Sequence, residues 1–551
     1  MNIPSLSRRP VGPLTLLFIA ALPPILPLRA DTSAPAASAP ATGRKTLASP
    51  NPINAKSATA TGGRANLFNP ALLSERTLPN GVRGVVRETR GTGLVSVQIW
   101  VRAGSRYETA ANNGVSHMIE NLAMHASKNY PRSPSGGIGG GASDAINALG
   151  GVAGSLTSRD STFYSATVAS IFLSAAVRAL SDATLHPNLT DGDVESAKAE
   201  VEDDVLRRGQ DPLGTASDLA YRTAFAKHPY NKPAAGTEAS LEALNGAKVR
   251  SYYNARYVGS NISVVVVGDV KREAAYRLIE RYFGEAAAAK PPQDTIPAEQ
   301  APKTFKSISR RLTDPGTTLA LAFRSPGIST PQDVVAMDVL LSYWKEGRDA
   351  TLRQVLLGGA DTGNDDTGDS GDNAANGNDQ TDSSTTDTSG KEPLALAFDV
   401  DFLTQRDPGL FLVTLRVDPQ NQESAVTATL NEFGRVRSQG IDVAGLKRAK
   451  RQLTTQYIQQ SETVSGQAGA LGFYEMIDTY DFAATYLDRI QHVTLADIKR
   501  VANRYLSKTA YVQVILQPTP RPTIPNPRNN DGGTFTARAD SPEILRHNVT
   551  S

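Results

Sequence analysis

The sequence predicts an α+β fold built from two similar α/β domains, on three observations. Short β-rich runs alternate with longer helical patterns through residues 71–289, and the same alternation returns through residues 303–517. Between them, at 290–302, an alanine-rich stretch gives way to Lys290-Pro291-Pro292 and then Pro297 and Pro302, the composition of a linker. A chain of 551 residues is long enough for two or three domains, each with its own core.

In the first half, Leu78 to Arg87 and Leu94 to Val101 are β-rich and partly alternating, and Gly91 and Gly93 between them suggest a hairpin. A helix is expected from about Asn113. Ser170 to Leu185 and Asp193 to Arg208 carry helical patterns, and Asn261 to Val267 is a short apolar run suited to a buried strand. The second half repeats the theme: β-rich Thr318 to Phe323, helical Thr330 to Trp344, β-rich Leu394 to Phe402 and Gly409 to Val417, then helices.

The ends differ in composition from this body. Residues 1–30 place Arg8 and Arg9 ahead of an apolar run from Leu14 to Leu28 and then Ala30, the order of a bacterial export signal that directs a chain to the periplasm or outside the cell. A membrane anchor is the competing reading, but Pro23, Pro24 and Pro27 interrupt the run and leave it short for a span. Residues 31–70, rich in Ala, Ser, Thr and Pro, are expected to be a flexible tether, and 518–551 a tail. Residues 358–392 form an insertion of Asp, Asn, Gly, Ser and Thr whose spacing fits neither an EF-hand nor a calcium repeat. Gly136 to Gly141 has no Gly-Lys-Ser/Thr after it and so is no phosphate loop. With 57 basic and 55 acidic residues, no global field points to nucleic acid. The absence of cysteine excludes disulfides and thiolate metal sites, so a transition metal would rest on histidine and carboxylates.

One segment has the spacing for such chemistry. In His117-Met118-Ile119-Glu120-Asn121, helical geometry puts His117 and residue 121 one turn apart on one face, with Glu120 beside them, able to reach a metal-bound water. A hydrolytic zinc needs three protein ligands and one open position. The order His-x-x-Glu-His supplies two ligands and a base from one turn, and a distant glutamate completes the set. Glu202 is available for that, on a predicted helix seven residues after Glu195, so that the two share a face. His125 lies about 12 Å along the axis from His117, too far for a shared ion, and reads as structural or surface.

Further landmarks stand in order around this helix. They are Leu78-Pro79-Asn80-Gly81, Gly104-Ser105-Arg106-Tyr107-Glu108, Gly114-Val115-Ser116-His117, Leu149-Gly150-Gly151, Thr157 to Tyr164, His228-Pro229-Tyr230, Gly236-Thr237, Val267-Gly268-Asp269, and the late segments from Val493 to Asp497 and Val501 to Leu506. Over residues of about 72 to 517 the chain thereby resembles the insulinase family of inverted-motif zinc peptidases, in particular the mitochondrial processing peptidase group and its bacterial relatives. The resemblance implies two domains, each a mostly antiparallel sheet packed with helices, together forming one half of a peptidase clamshell. It implies His117 as a zinc ligand, Glu120 as general base, Glu202 as the distal ligand and Glu195 as its acidic neighbour. It also implies an arginine and a tyrosine of the later domain at the oxyanion.

The sequence departs from that pattern in three places. Asn121 stands where the second histidine belongs, and a neutral amide oxygen is a poor zinc ligand. Arg353 is the match for the arginine, but Leu394 to Phe398 offers no hydroxyl for the tyrosine. Gly154-Ser155 replaces the Asn-Ala pair on the edge strand that accepts substrate. Two expectations follow. One is a non-catalytic member that binds peptide or an unfolded protein segment and pairs with another copy, or with a homologue carrying the complete motif. The other is a working zinc metalloendopeptidase that tolerates Asn121.

Overall fold

The computed structural model describes residues 68, 70–132, 140–314, 316–347, 349–358 and 392–519. The expected export signal, nearly all of the tether, the acidic insertion and the tail, and most of the glycine-rich run, lie outside them. Among the described residues no helix is long and apolar enough to cross a membrane.

Eleven strands of the described residues form two sheets. The first holds β1 (Leu73–Thr77), β2 (Arg83–Glu88), β3 (Leu94–Val101), β4 (Val152–Thr157), β5 (Thr162–Ala169) and β6 (Ile262–Gly268), in the order β1-β2-β6-β3-β5-β4. The second holds β7 (Lys306–Leu312), β8 (Thr317–Arg324), β9 (Ala397–Phe402), β10 (Leu410–Val417) and β11 (Val512–Pro518), in the order β7-β11-β8-β10-β9. Apart from β1 the wiring is the same. In each sheet the last strand of the half lies parallel to the first (β6 on β2, β11 on β7) and every other pairing is antiparallel. The two similar α/β halves with mostly antiparallel sheets are thus observed.

The expected hairpin between β2 and β3 is not. The hairpin is β1–β2, closed at Leu78 to Val82 with Gly81 at φ 95°, and β6 lies between β2 and β3. The reason is burial: every residue of β6 is buried, including four consecutive valines, so this strand takes a central slot with both faces covered.

Helices of the first half are α1 (Val115–His125), α2 (Gly141–Asn147), α3 (Leu173–Leu185), α4 (Asp191–Gln210), α5 (Pro212–Ala224), α6 (Glu238–Glu242), α7 (Gly246–Arg256) and α8 (Arg272–Phe283). Those of the second are α9 (Pro331–Lys345), α10 (Thr351–Leu357), α11 (Gln422–Gln439), α12 (Val443–Gln460), α13 (Val464–Ile477), α14 (Asp481–His492) and α15 (Leu495–Tyr505). Alternation along the strands gives each sheet two apolar faces. On the first sheet Val97, Ile99, Val264 and Val266 turn toward a core shared with α1, α3 and α8, while Val85, Trp100, Val265 and Val267 turn the other way and join the core of the second half. That second face is covered by α13, and the matching face of the second sheet is covered by α5, through Ala216, Ala220, Tyr221 and Ala224. Each half therefore lends one helix to the other.

Polar contacts lock this exchange. Gln98 donates to the Ser465 carbonyl at 3.1 Å, and Arg102 donates to the Glu475 and Met476 carbonyls at the end of α13 at 2.8 and 3.1 Å. Near α5, the Tyr230 hydroxyl donates to Asp160 at 2.8 Å and accepts from the Asp407 amide at 3.1 Å, and Arg106 donates to Asp407 at 2.7 Å. His228 completes this network with a defined tautomer. Its Nδ1 accepts from the Tyr230 amide at 3.1 Å, which leaves Nε2–H to donate to Asp407, also at 3.1 Å. The linker carries no helix or strand between α8 and β7, yet Glu299 on it accepts from the backbone amides of Ala226, Lys227 and His228 at 2.7–2.8 Å.

Two stability outcomes are expected. A Cβ on Gly472 of α13 would overlap the Trp100 indole, so Gly472→Ala should cost about 1–3 kcal/mol of overpacking in denaturant unfolding. Asp338 of α9 accepts from the Tyr486 hydroxyl at 2.6 Å, and burial pushes its carboxyl up from 3.8 to about 7. A carboxyl raised by folding makes the folded state bind protons that the unfolded state releases, so stability falls as pH rises from about 4 to about 7 and then levels. Asp338→Asn should flatten that part of a melting-temperature-versus-pH profile.

Candidate functional site

The helix α1 is held at its start by groups chosen for that end. Glu108, from the loop after β3, accepts from the Gly114 and Ser116 amides at 2.8 and 2.9 Å and from the Asn113 side chain at 2.8 Å, so a carboxylate satisfies the exposed N–H groups where the helix dipole is positive. Gly114 has φ 91°, and its α-carbon lies against Gly236 so closely that a Cβ on either would collide. The Ser116 hydroxyl meets the Tyr252 hydroxyl at 2.9 Å, tying α1 to α7. These contacts set the phase of the helix and so aim His117 and Asn121.

α1 packs against α4 in the antiparallel sense: His117 lies opposite Asp204 and His125 opposite Glu200. His117 Nε2 stands 3.6 Å from Asp204 Oδ2. That is longer than a hydrogen bond, and close to the separation of two ligands at a tetrahedral angle around an ion about 2.1 Å from each. The other Asp204 oxygen is held by Arg207, which also pairs with Asp203. His117 Nδ1 and Asn121 Oδ1 are buried and have no hydrogen-bond partner among the described residues. Glu120 is 9% exposed. Near it the hydroxyls of Tyr164 and Tyr257 meet at 2.8 Å, and burial, with the Glu120 charge adding to it, pushes both phenols up, so they stay protonated. One turn beyond Asn121, His125 Nε2 lies 3.9 Å from Glu200, whose other oxygen is 4.0 Å from Arg132, so His125 belongs to a separate structural cluster.

Comparison with known proteins places this arrangement. Residues 84–238 match the family model described as insulinase (peptidase family M16), and residues 243–453 match the peptidase M16 inactive domain. The chain belongs to the insulinase family of peptidases. Its relatives include an uncharacterized zinc protease of Mycobacterium leprae, 28% identical over 46% of this chain and 56% of that one. The zinc protease PqqE of Helicobacter pylori is 22% identical over 80% of this chain and 92% of its own length. The crystal structure of a protease from Helicobacter pylori superposes with TM-score 0.69 and 20% identity, covering 81% of this chain and 99% of that one. The chain spans about half the length of the first curated relatives it matches.

Several relatives are named zinc proteases, so zinc is the ion against which an insulinase-family site is to be tested. The residues present do not fit it. His117 and Asp204 are separated as two ligands would be, but the third donor is the neutral Asn121 amide, and among the described residues no three His, Asp or Glu side chains gather as a metal-holding group.

The distal carboxylates expected from sequence are displaced. The buried row of α4 runs Val194, Ala197 and Val201, and Asp204 follows three residues on with its side chain 35% exposed. Glu195 and Glu202 do share a face, but it is the other one: Glu195 has a 74% exposed side chain paired with Lys198 at 3.0 Å, and Glu202 makes no ion pair among the described residues. Asp204 was legible all along, because the apolar phase of the helix leads to it; the preference for glutamate as the distal donor hid it. Arg353 is exposed on α10, which packs on α9, α11 and β9 of the second half, and nothing brings it to α1. Glu108, Tyr164 and Tyr257, which position the helix and surround Glu120, had no signal in the sequence beyond the landmark segments in which Glu108 and Tyr164 lie.

Asn121→His is expected to raise zinc affinity, by more than the roughly 10–100-fold that losing an outer-shell partner costs a metal site. Adding Asp204→Ala should abolish that gain and adding Glu202→Ala should leave it, as read by isothermal titration calorimetry.

Proposed function

We propose that this chain is an exported, periplasmic or secreted, non-catalytic member of the insulinase family. It binds an extended peptide or an unfolded protein segment and serves as a partner subunit, in a homodimer or beside a homologue with the complete motif. The carrying observation is Asn121, whose buried amide oxygen stands where the family motif has a ligand and finds no partner among the described residues. The peptide-binding part is supported by β4. This strand pairs only with β5 among the described residues, packs against α1, and so offers main-chain groups to an incoming strand beside His117. Strand addition uses backbone hydrogen bonds, which the departure at Gly154-Ser155 does not remove.

The second reading, an active zinc metalloendopeptidase, is favoured by the 3.6 Å approach of Asp204 to His117 and by retention of Glu120. Metal analysis of the purified protein, with cleavage and fluorescence-anisotropy binding of an unstructured peptide, separates the two. The expected result is peptide binding without stoichiometric zinc and without chelator-sensitive cleavage. Cleavage that a chelator abolishes, in the unaltered protein, overturns the proposal in favour of the second reading.

A further inference from the structure

Where the two halves and the strap between them meet, a cavity of about 540 Å³ is lined by four arginines, Arg102, Arg106, Arg256 and Arg406. Two are compensated by carboxylates: Arg256 by Asp294 of the strap at 2.5 Å, and Arg106 by Asp407 at 2.7 Å. The other two are served mainly by carbonyls. Arg406 donates from its guanidinium to Met476 at 3.3 Å and has no carboxylate partner among the described residues. Arg102 donates to Glu475 and Met476, and its nearest carboxylate, Glu475, is 3.9 Å away and held more closely by Arg83 at 3.0 Å. Asp478 also lines the cavity but pairs with neither.

Each guanidinium has five N–H donors, of which these contacts use two on Arg102 and one on Arg406. The end of α13 offsets only about half an elementary charge, against two guanidinium charges. Burial lowers the Arg102 pKa, Glu475 and Tyr107 offset part of that, and the neighbouring cations Arg406 and Arg83 add to the lowering. Tyr107 forms a wall of the cavity, with the Arg256 and Arg106 guanidinium groups 4.8 and 5.2 Å from its ring centre.

We propose that this cavity binds a small free oxyanion, bearing phosphate or carboxylate groups, between Arg102 and Arg406. The bound anion joins the end of β3, the loop after β9 and the end of α13, and so stiffens the seam between the halves. The site is separate from α1 and does not depend on whether the chain is a peptidase.

Thermal unfolding and calorimetric titration test it, with inorganic phosphate and citrate as probes and potassium chloride at matched ionic strength as the control. Phosphate or citrate should raise the melting temperature beyond the chloride control, and the probe that does so identifies the favoured group. Arg406→Gln should weaken that binding at least tenfold, while leaving the ligand-free melting temperature unchanged or higher because a repulsion is removed; Arg406→Lys should bind with intermediate strength. Equal shifts with chloride, or an Arg406→Gln protein that binds the probe as well as the unaltered one, overturns the proposal. If Arg406→Gln does not fold, the side chain is structural, and the proposal is likewise overturned.

Discussion

Each sheet of this protein has one apolar face that the helices of its own half leave bare, and the structure rests on each half covering that face for the other. α13 crosses to the first sheet and α5 to the second, so Trp100, Val265 and Val267 share a core with the helices of the second half. A half taken alone would expose a face of large apolar side chains to water, which is the condition under which a surface seeks a partner. The exchange therefore makes the two halves one folding unit in spite of the proline-rich linker. It also explains the polar groups buried at the seam. Arg106, Asp160, Tyr230 and Asp407 sit where a wrong relative orientation would leave several of them unpaired, a larger penalty than any one of the bonds is worth when made.

The candidate site takes its positioning from contacts within the first half. α1 is fixed by the Glu108 carboxylate at its first turn, by the Gly114–Gly236 approach and by Ser116 on Tyr252. None of these contacts passes through residue 121. A scaffold supported in this way does not depend on which side chain stands at residue 121. Fold and chemistry are separable here because different residues carry them.

Much of the architecture was readable before the structure, for specific reasons. α4, α9, β6 and β10 were legible to within a few residues because each is a run of one consistent character, helical or continuously apolar, bounded by turn or capping residues. The β2–β3 pairing was misread because proximity in sequence favours a hairpin, and nothing local reveals that β6, some 160 residues later, inserts between them. At the site, His117, Glu120 and Asn121 were legible from spacing on a single helix. Asp204 follows the phase of Val194, Ala197 and Val201, but its residue type differs from the glutamate that the motif implies, so spacing and residue type point to different positions on α4.

What the sequence determined by itself is the set of local choices: two halves of alternating strand and helix, one helix carrying a histidine, a carboxylate and an amide on adjoining positions, and no thiol to replace the missing ligand. These follow from periodicity, composition and the 3.6-residue turn, which act over a few residues. What only the tertiary structure decided is which distant group meets that helix, which strand fills the centre of each sheet, and that each half covers the other. Those depend on packing between segments far apart in the chain, where burial and shape select one partner among several of equal local merit.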